Sequence, residues 1–273
     1  MANSKVRLPA VAGQFYDSSK EGLKKQIESL IGRAGRKVDA LACVLPHAGY
    51  MYSGAVAAET VSRVNIKDKV VLLGPKHTGL GAPFSIMTEG RWKTPLGEVD
   101  IDSDLAEAIL RGSRYLKEDS LAHINEHSLE VELPFLQYFK PDFKIVPIAL
   151  SSNDISVLKE IGSGIAASIK AKGIKDSVLL VASSDMTHYE PQKEASKKDG
   201  AAIQAILGLD EEMLAENIAR LDISMCGYAP VIAMLSAAKA LGAKKAELVK
   251  YQTSGDITGD KTSVVGYAGI IIK

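Results

Sequence analysis

The chain is poor in the residues that mark several protein classes. It holds two cysteines, Cys43 and Cys226, in 273 residues, so a disulfide scaffold is excluded on count and a reducing cytoplasm is the expected setting. Aromatic residues make up 5%, with one tryptophan, and no basic stretch is interleaved with them. That argues against a nucleic-acid partner. Net charge is also missing, 33 basic residues against 33 acidic, so no single-sign field would draw the chain to a polyanion or a lipid surface. Long apolar runs are absent. The longest are of strand length and the opening MANSKVRLPAVAG has no apolar signal core, so no membrane span is expected. No internal repeat, low-complexity tract or linker divides the sequence, and one domain over residues 1–273 is expected.

What is present is a series of buried-strand patterns separated by helix-length segments. Leu41–Leu45, Asp68–Gly74, Phe143–Ala149 and Asp176–Ala182 read as strands. Between and after them, Lys20–Ile31, Gly54–Val64, Ser103–Arg111, Ile155–Ala171, Glu194–Leu207, Glu211–Arg220 and Gly227–Leu241 read as helices. Ser53 is the expected N-cap of the second of these. His127–Phe139 is helical in period, with Pro134 expected to kink it. Residues 1–18 look extended. Phe84–Met87 and Gly97–Ile101 are short strand candidates. Ala246–Thr253 and Val264–Ile272 are expected to form an antiparallel pair joined by a tight DITGDKT turn. The alternation predicts an α/β fold, a single-domain layered sandwich around a mixed, largely parallel sheet.

The histidines carry the chemistry. His47, His77 and His188 each lie just after a strand pattern, and His127 heads a helical one. Parallel strands end on one edge of a sheet, which would bring these imidazoles together beside Asp185. Cys226 stands directly before a helix. There the helix dipole is expected to lower its pKa and favour the thiolate. Cys43, mid-strand, reads as a packed small hydrophobe. Glu130 and Glu132 read as a polar helix face. Lys76 beside His77 could hold an anion, and Tyr50, Tyr52 and Tyr189 bracket the site. Three arrangements fit these residue types. His47, His77 and Cys226 could bind a metal, where two imidazoles and a thiolate suit iron, copper or zinc better than magnesium or calcium. Cys226 could be a nucleophile with a histidine base oriented by Asp185. The polar edge could instead bind a peptide or small ligand without reaction.

Six ordered segments, RLPAVAGQFY, LPHAGYMYSG, GPKHTG, EHSLEVELPFL, SSDMTHY and MCGYAP, together resemble the Memo family (mediator of cell motility). The resemblance runs from about residue 7 to 272. It implies a fold similar to class III extradiol dioxygenases of the LigB type, which hold non-haem iron with two histidines and a carboxylate. His47 and His77 match the two histidine ligands, and Cys226 stands where the carboxylate would be, as in Memo proteins. His188 resembles the acid/base residue near bound substrate. Asp185 and His127 match polar pocket positions. The resemblance thus implies an iron or copper site, with zinc as a further candidate, and a redox role on an unknown small-molecule or peptide ligand. It also implies radical-SAM and AMMECR-type partners.

Overall fold

The short apolar runs of the sequence lie side by side as strands in a computed structural model, which describes residues 6–32 and 35–273. In chain order the elements are β1 (Val6–Arg7), α1 (Lys20–Leu30), β2 (Ala42–Leu45), α2 (Tyr50–Ser62), β3 (Lys69–Pro75), β4 (Phe84–Ile86), β5 (Arg91–Thr94), β6 (Gly97–Asp100), α3 (Ser103–Arg111), β7 (Lys117–Glu118), α4 (Leu121–Ile124) and α5 (Leu133–Phe139). The second half adds β8 (Lys144–Leu150), α6 (Ile155–Ala171), β9 (Val178–Ser183), β10 (His188–Glu190), α7 (Gln192–Leu207), α8 (Glu211–Leu221), α9 (Tyr228–Ala240), β11 (Ala246–Thr253), α10 (Ser254–Thr258) and β12 (Val264–Ile272). Together they form one α/β domain with mixed sheets. The main sheet has the order β10-β12-β2-β9-β3-β8-β4-β7, with β11 also on β12. Its centre, β2-β9-β3-β8, is parallel, while β12 and β4 run antiparallel to that centre on either side. A small second sheet joins β1, β5 and β6.

Every residue from Val70 to Pro75 is buried, so both faces of the central strands are covered. On one helical layer α6 packs along α9, which lies over β9 and β3. Gly162 permits that approach: a Cβ there would sit 2.2 Å from the Ala233 carbonyl oxygen. Elsewhere α2 packs on β2, β11 and β12.

Four local expectations are corrected. Helix α2 begins at Tyr50 rather than Gly54, and Ser53 does not cap it; its hydroxyl donates to the Ala48 carbonyl instead. The start is set by tertiary contact, because the Tyr50 N–H donates to the Phe15 carbonyl at 2.8 Å. The proposed helix over His127–Phe139 is turns up to residue 132, followed by α5. Pro134 lies in the first turn of that helix, where its missing N–H costs nothing, so it kinks no helix. The tight turn expected between the last two strands is helix α10, closed by a reciprocal Thr253–Asp256 capping box. The antiparallel pairing of β11 with β12 is as the pattern predicts, from Ala246 against Ile272 to Thr253 against Gly266. Finally, Glu130 and Glu132 face no solvent; both are fully buried. The extended reading of residues 1–18 falls, in its first five positions, outside the described residues.

Candidate metal centre

The parallel register places three strand ends together. Leu45 of β2 is level with Ser183 of β9, and Leu73 of β3 with Ala182. His47, His77 and Asp185 each follow two residues past the end of their strand and therefore emerge at one edge. Cys226 arrives from the loop before α9. Gly227, which caps that helix, packs against β9 so closely that a Cβ would lie 2.2 Å from the Ser183 carbonyl oxygen. Any side chain there would lever Cys226 away from the edge.

The result is a cleft of 1230 Å³ with His47, His77, His127, His188, Asp185 and Cys226 in its lining. The Cys226 sulfur stands 3.3 Å from His47 Nε2. One ligand atom from each of His47, His77 and Cys226 lies within 4.8 Å of the other two. Donors around a tetrahedral ion with bonds of about 2.1 Å are about 3.4 Å apart, so this set fits a first-row transition metal. A second group, His77, Glu126 and His127, meets the same distance limit. Its carboxylate, however, is already occupied by hydrogen bonds. Glu126 accepts from His77 Nδ1 at 2.9 Å, from the His77 N–H at 2.5 Å and from the Ser128 N–H at 3.0 Å. Burial pushes this carboxyl up, but the His77 hydrogen bond and charge and the two backbone N–H groups outweigh it and hold Glu126 well below the carboxylate range. Glu126 thus orients His77 and leaves Nε2 toward the cleft, the usual carboxylate–histidine support of a metal ligand.

His47 is held differently. Its Nδ1 meets the Ser183 hydroxyl at 2.8 Å, and that hydroxyl also reaches the Ser128 carbonyl at 2.8 Å and Glu132 at 2.9 Å. Burial raises the pKa of Glu132 well above the ordinary value, which favours its neutral form. Ser183 has a single hydrogen and gives it to the Ser128 carbonyl or the Glu132 carboxyl. It is therefore an acceptor toward His47, which fixes the Nδ1–H tautomer and leaves Nε2 bare. Glu132 was read in the sequence as solvated; its burial is set by β9 lying beside the 128–132 turns. Replacing it tests the charge state. A carboxyl raised in the folded state contributes stability below its unfolded pKa, near 4.5, and loses it as pH rises toward the folded value. Glu132→Gln, measured by urea denaturation, should thus gain stability relative to the parent at pH 8 compared with pH 5. A difference that is constant across that range would mean that Glu132 is ionised in place.

The remaining groups differ from expectation in instructive ways. Burial, followed by the Asp185 charge, pushes the Cys226 thiol up, opposite to the helix-dipole expectation. The dipole effect is confined to the first turn of the helix and loses to desolvation. This disfavours the free nucleophile; a coordinating cation is what would deprotonate such a sulfur. Asp185 accepts the His47 N–H at 2.8 Å and its own N–H points to the Cys226 sulfur at 3.3 Å. Burial lifts its pKa to about 7. His127 stacks on His77 with ring centres 4.7 Å apart and stands edge-on to His47 at 5.5 Å. His188 opens the short strand β10. Its Nδ1 is 2.9 Å from the Ser224 carbonyl, so that nitrogen donates and Nε2 is free. His123 is the one histidine outside the cleft, buried against Trp92, and burial lowers its pKa to about 4. Lys76 is committed to the Gly81 and Ala82 carbonyls. Tyr50 is core, stacked on Phe135, while Tyr52 and Tyr189 line the cleft.

A sequence model of the family described as Memo-like protein matches residues 7–271. The chain belongs to the Memo family. It is similar to a MEMO1 family protein of Methanocaldococcus jannaschii, 45% identical over 289 residues, covering 99% of this chain and 100% of that one. Another from Methanopyrus kandleri is 43% identical over 281 residues, covering 98% and 99%. A MEMO1 family protein of Aquifex aeolicus is 45% identical over 269 residues, again covering 98% and 99%. Among the described residues of this Memo chain, no helix is long and apolar enough to cross a membrane.

Proposed function

We propose that the cleft is a transition-metal centre of redox type, with His47, His77 and Cys226 holding iron or copper, and zinc as the further candidate. The observation that carries this is the meeting of two imidazoles and one thiol within a single ion's reach, each imidazole being oriented by a buried partner. A bound iron or copper would supply one-electron chemistry and an open position for a ligand. The resemblance to class III extradiol dioxygenases supports the redox part. The chain's own residues then have distinct tasks. His188 is the base: burial keeps its imidazole neutral, and Nε2 is its free nitrogen. Asp185 holds the loop after β2 through the His47 N–H. His127, between His77 and Phe15, is placed to contact a ligand.

Purified protein should carry about one transition-metal ion per chain by elemental analysis. The double variant His47→Ala, Cys226→Ser should lose it while keeping its circular dichroism. Undiminished metal in that folded variant ends the proposal. A second reading, a binding protein without a reaction, is favoured by the size of the cleft. Oxygen uptake by iron-loaded protein with catechols or thiols, abolished in His188→Ala, supports the enzyme. No uptake with either class supports the binding protein.

A further inference from the structure

Helix α7 carries an aspartate where neither helix propensity nor burial favours one. Asp199 is 0% exposed, midway along the helix on the face turned to the sheet. Among the described residues no lysine or arginine forms an ion pair with it, and a buried carboxylate without a cation is costly. Its oxygens are both in use: Oδ1 accepts the Thr187 N–H at 2.8 Å and Oδ2 accepts the Tyr251 hydroxyl at 2.7 Å. Strand β12 leaves room for the carboxylate at Gly266, where a Cβ would lie 1.9 Å from Oδ2. The same glycine ties down the loop before β10. Its N–H donates to the Thr187 carbonyl at 3.0 Å, and its carbonyl accepts from the Met186 N–H at 2.9 Å. Thr187 is thus held at its N–H and its carbonyl, and the next residue is His188. Ser224 holds His188 itself, its hydroxyl accepting the backbone N–H at 2.8 Å and its carbonyl facing Nδ1 at 2.9 Å. An asparagine at position 199 could accept from Thr187 and donate to Tyr251, so hydrogen bonding alone does not call for an acid there. What the carboxylate adds is charge, and the His188 imidazole is within its electrostatic reach.

We propose that Asp199 is the positioning residue and counter-charge of His188: it anchors the loop that carries the imidazole and stabilises the imidazolium formed when that base takes a proton from a ligand. The proton arrives at Nε2 while Nδ1 keeps its own hydrogen toward the Ser224 carbonyl, and Asp199 takes none. Opposite charges favour each other's ionised forms, and away from solvent the attraction is screened less. The influences on His188 are opposed. Burial and the His77 imidazole disfavour its charge, whereas the Ser224 and Met186 backbone hydrogen bonds and Asp199 favour it. Tyr189 is the ring beside it, centroids 5.7 Å apart. The role of Asp199 rests on the reading of His188 as the base of the cleft.

The test is nitrogen-15 NMR of the imidazoles in metal-free protein, with the His188 signals assigned from the His188→Gln variant. Asp199→Asn keeps the shape and an acceptor for Thr187 and removes the charge. In it His188 should take up its proton at a lower pH than in the parent, with circular dichroism unchanged. Asp199→Ala also removes the acceptor, and there the His188 Nδ1–H should in addition exchange faster with water. The coupling is reciprocal, so His188→Gln should make Asp199 lose its proton at a higher pH, read from its carboxyl carbon-13 signal. That measurement holds whether or not an Asp199 variant folds. A His188 titration unmoved in folded Asp199→Asn, or an Asp199 titration unmoved in His188→Gln, overturns the proposal and leaves Asp199 a structural link alone. Intact coupling in a protein that shows no oxygen uptake would overturn the reading of His188 as a base and leave its pairing with Asp199 standing.

Discussion

Glu130→Ala is expected to lower the unfolding free energy by about 3–5 kcal/mol, the scale for leaving a buried charge unpaired. Glu130 and Arg7 form an ion pair with both side chains out of solvent. The same carboxylate accepts from the Tyr16 hydroxyl at 2.5 Å and from the N–H groups of Ala10 and Val11 at 2.7 and 3.1 Å. Arg7 in turn donates to the carbonyls of His123 and Glu126 and lies over the Trp92 ring at 4.4 Å. Removing the carboxylate strands one guanidinium, one phenol and two backbone donors together. A domain typically has about 5–15 kcal/mol to lose, so the variant should be marginal at room temperature. The consequence reaches the cleft. Residues 10–16 are pinned by Glu130, and Phe15 in that segment walls the site, its ring 4.9 Å from His127. Urea denaturation should show the loss, with Glu130→Gln intermediate because it keeps an acceptor and drops the charge. A change below about 1 kcal/mol in Glu130→Ala, within the range of an exposed pair, would mean that this segment is not anchored there.

Glu126→Ala should weaken metal binding about 10–100-fold without unfolding the protein, and Ser183→Ala should do the same by a different route. Glu126 holds both the ring and the backbone N–H of His77, so its loss frees that ligand to turn. Ser183 touches only the ring of His47, and its removal leaves Nδ1–H without an acceptor and both tautomers open. Competition against a chelator of known affinity measures each. The two residues support different ligands of the proposed centre, so the double variant should lose more than either single one. Unchanged affinity in both single variants would show that packing alone orients the imidazoles. The pair is informative because neither residue touches the proposed ion.

The sequence on its own determined the strand–helix alternation, the antiparallel closing pair and the positions of the histidines relative to the strands. Those signals are local: an apolar run of strand length, a period of 3.6, a polar residue placed just beyond the run. The six ordered motifs determined the family, because no single segment is specific and their order is. Tertiary structure alone decided the supports of the site. Ser183 reads as the end of an apolar strand, and only the register against Leu45 brings its hydroxyl to His47. Glu130 and Glu132 have the spacing of a solvated face, and only the packing of the 128–132 turns against β9 and the N-terminal segment buries them. The Cys226 ionisation went the other way from its sequence context for the same reason. A helix terminus is visible in the chain order, but the desolvation that outweighs it comes from residues distant in sequence, and burial is a property of the packed whole.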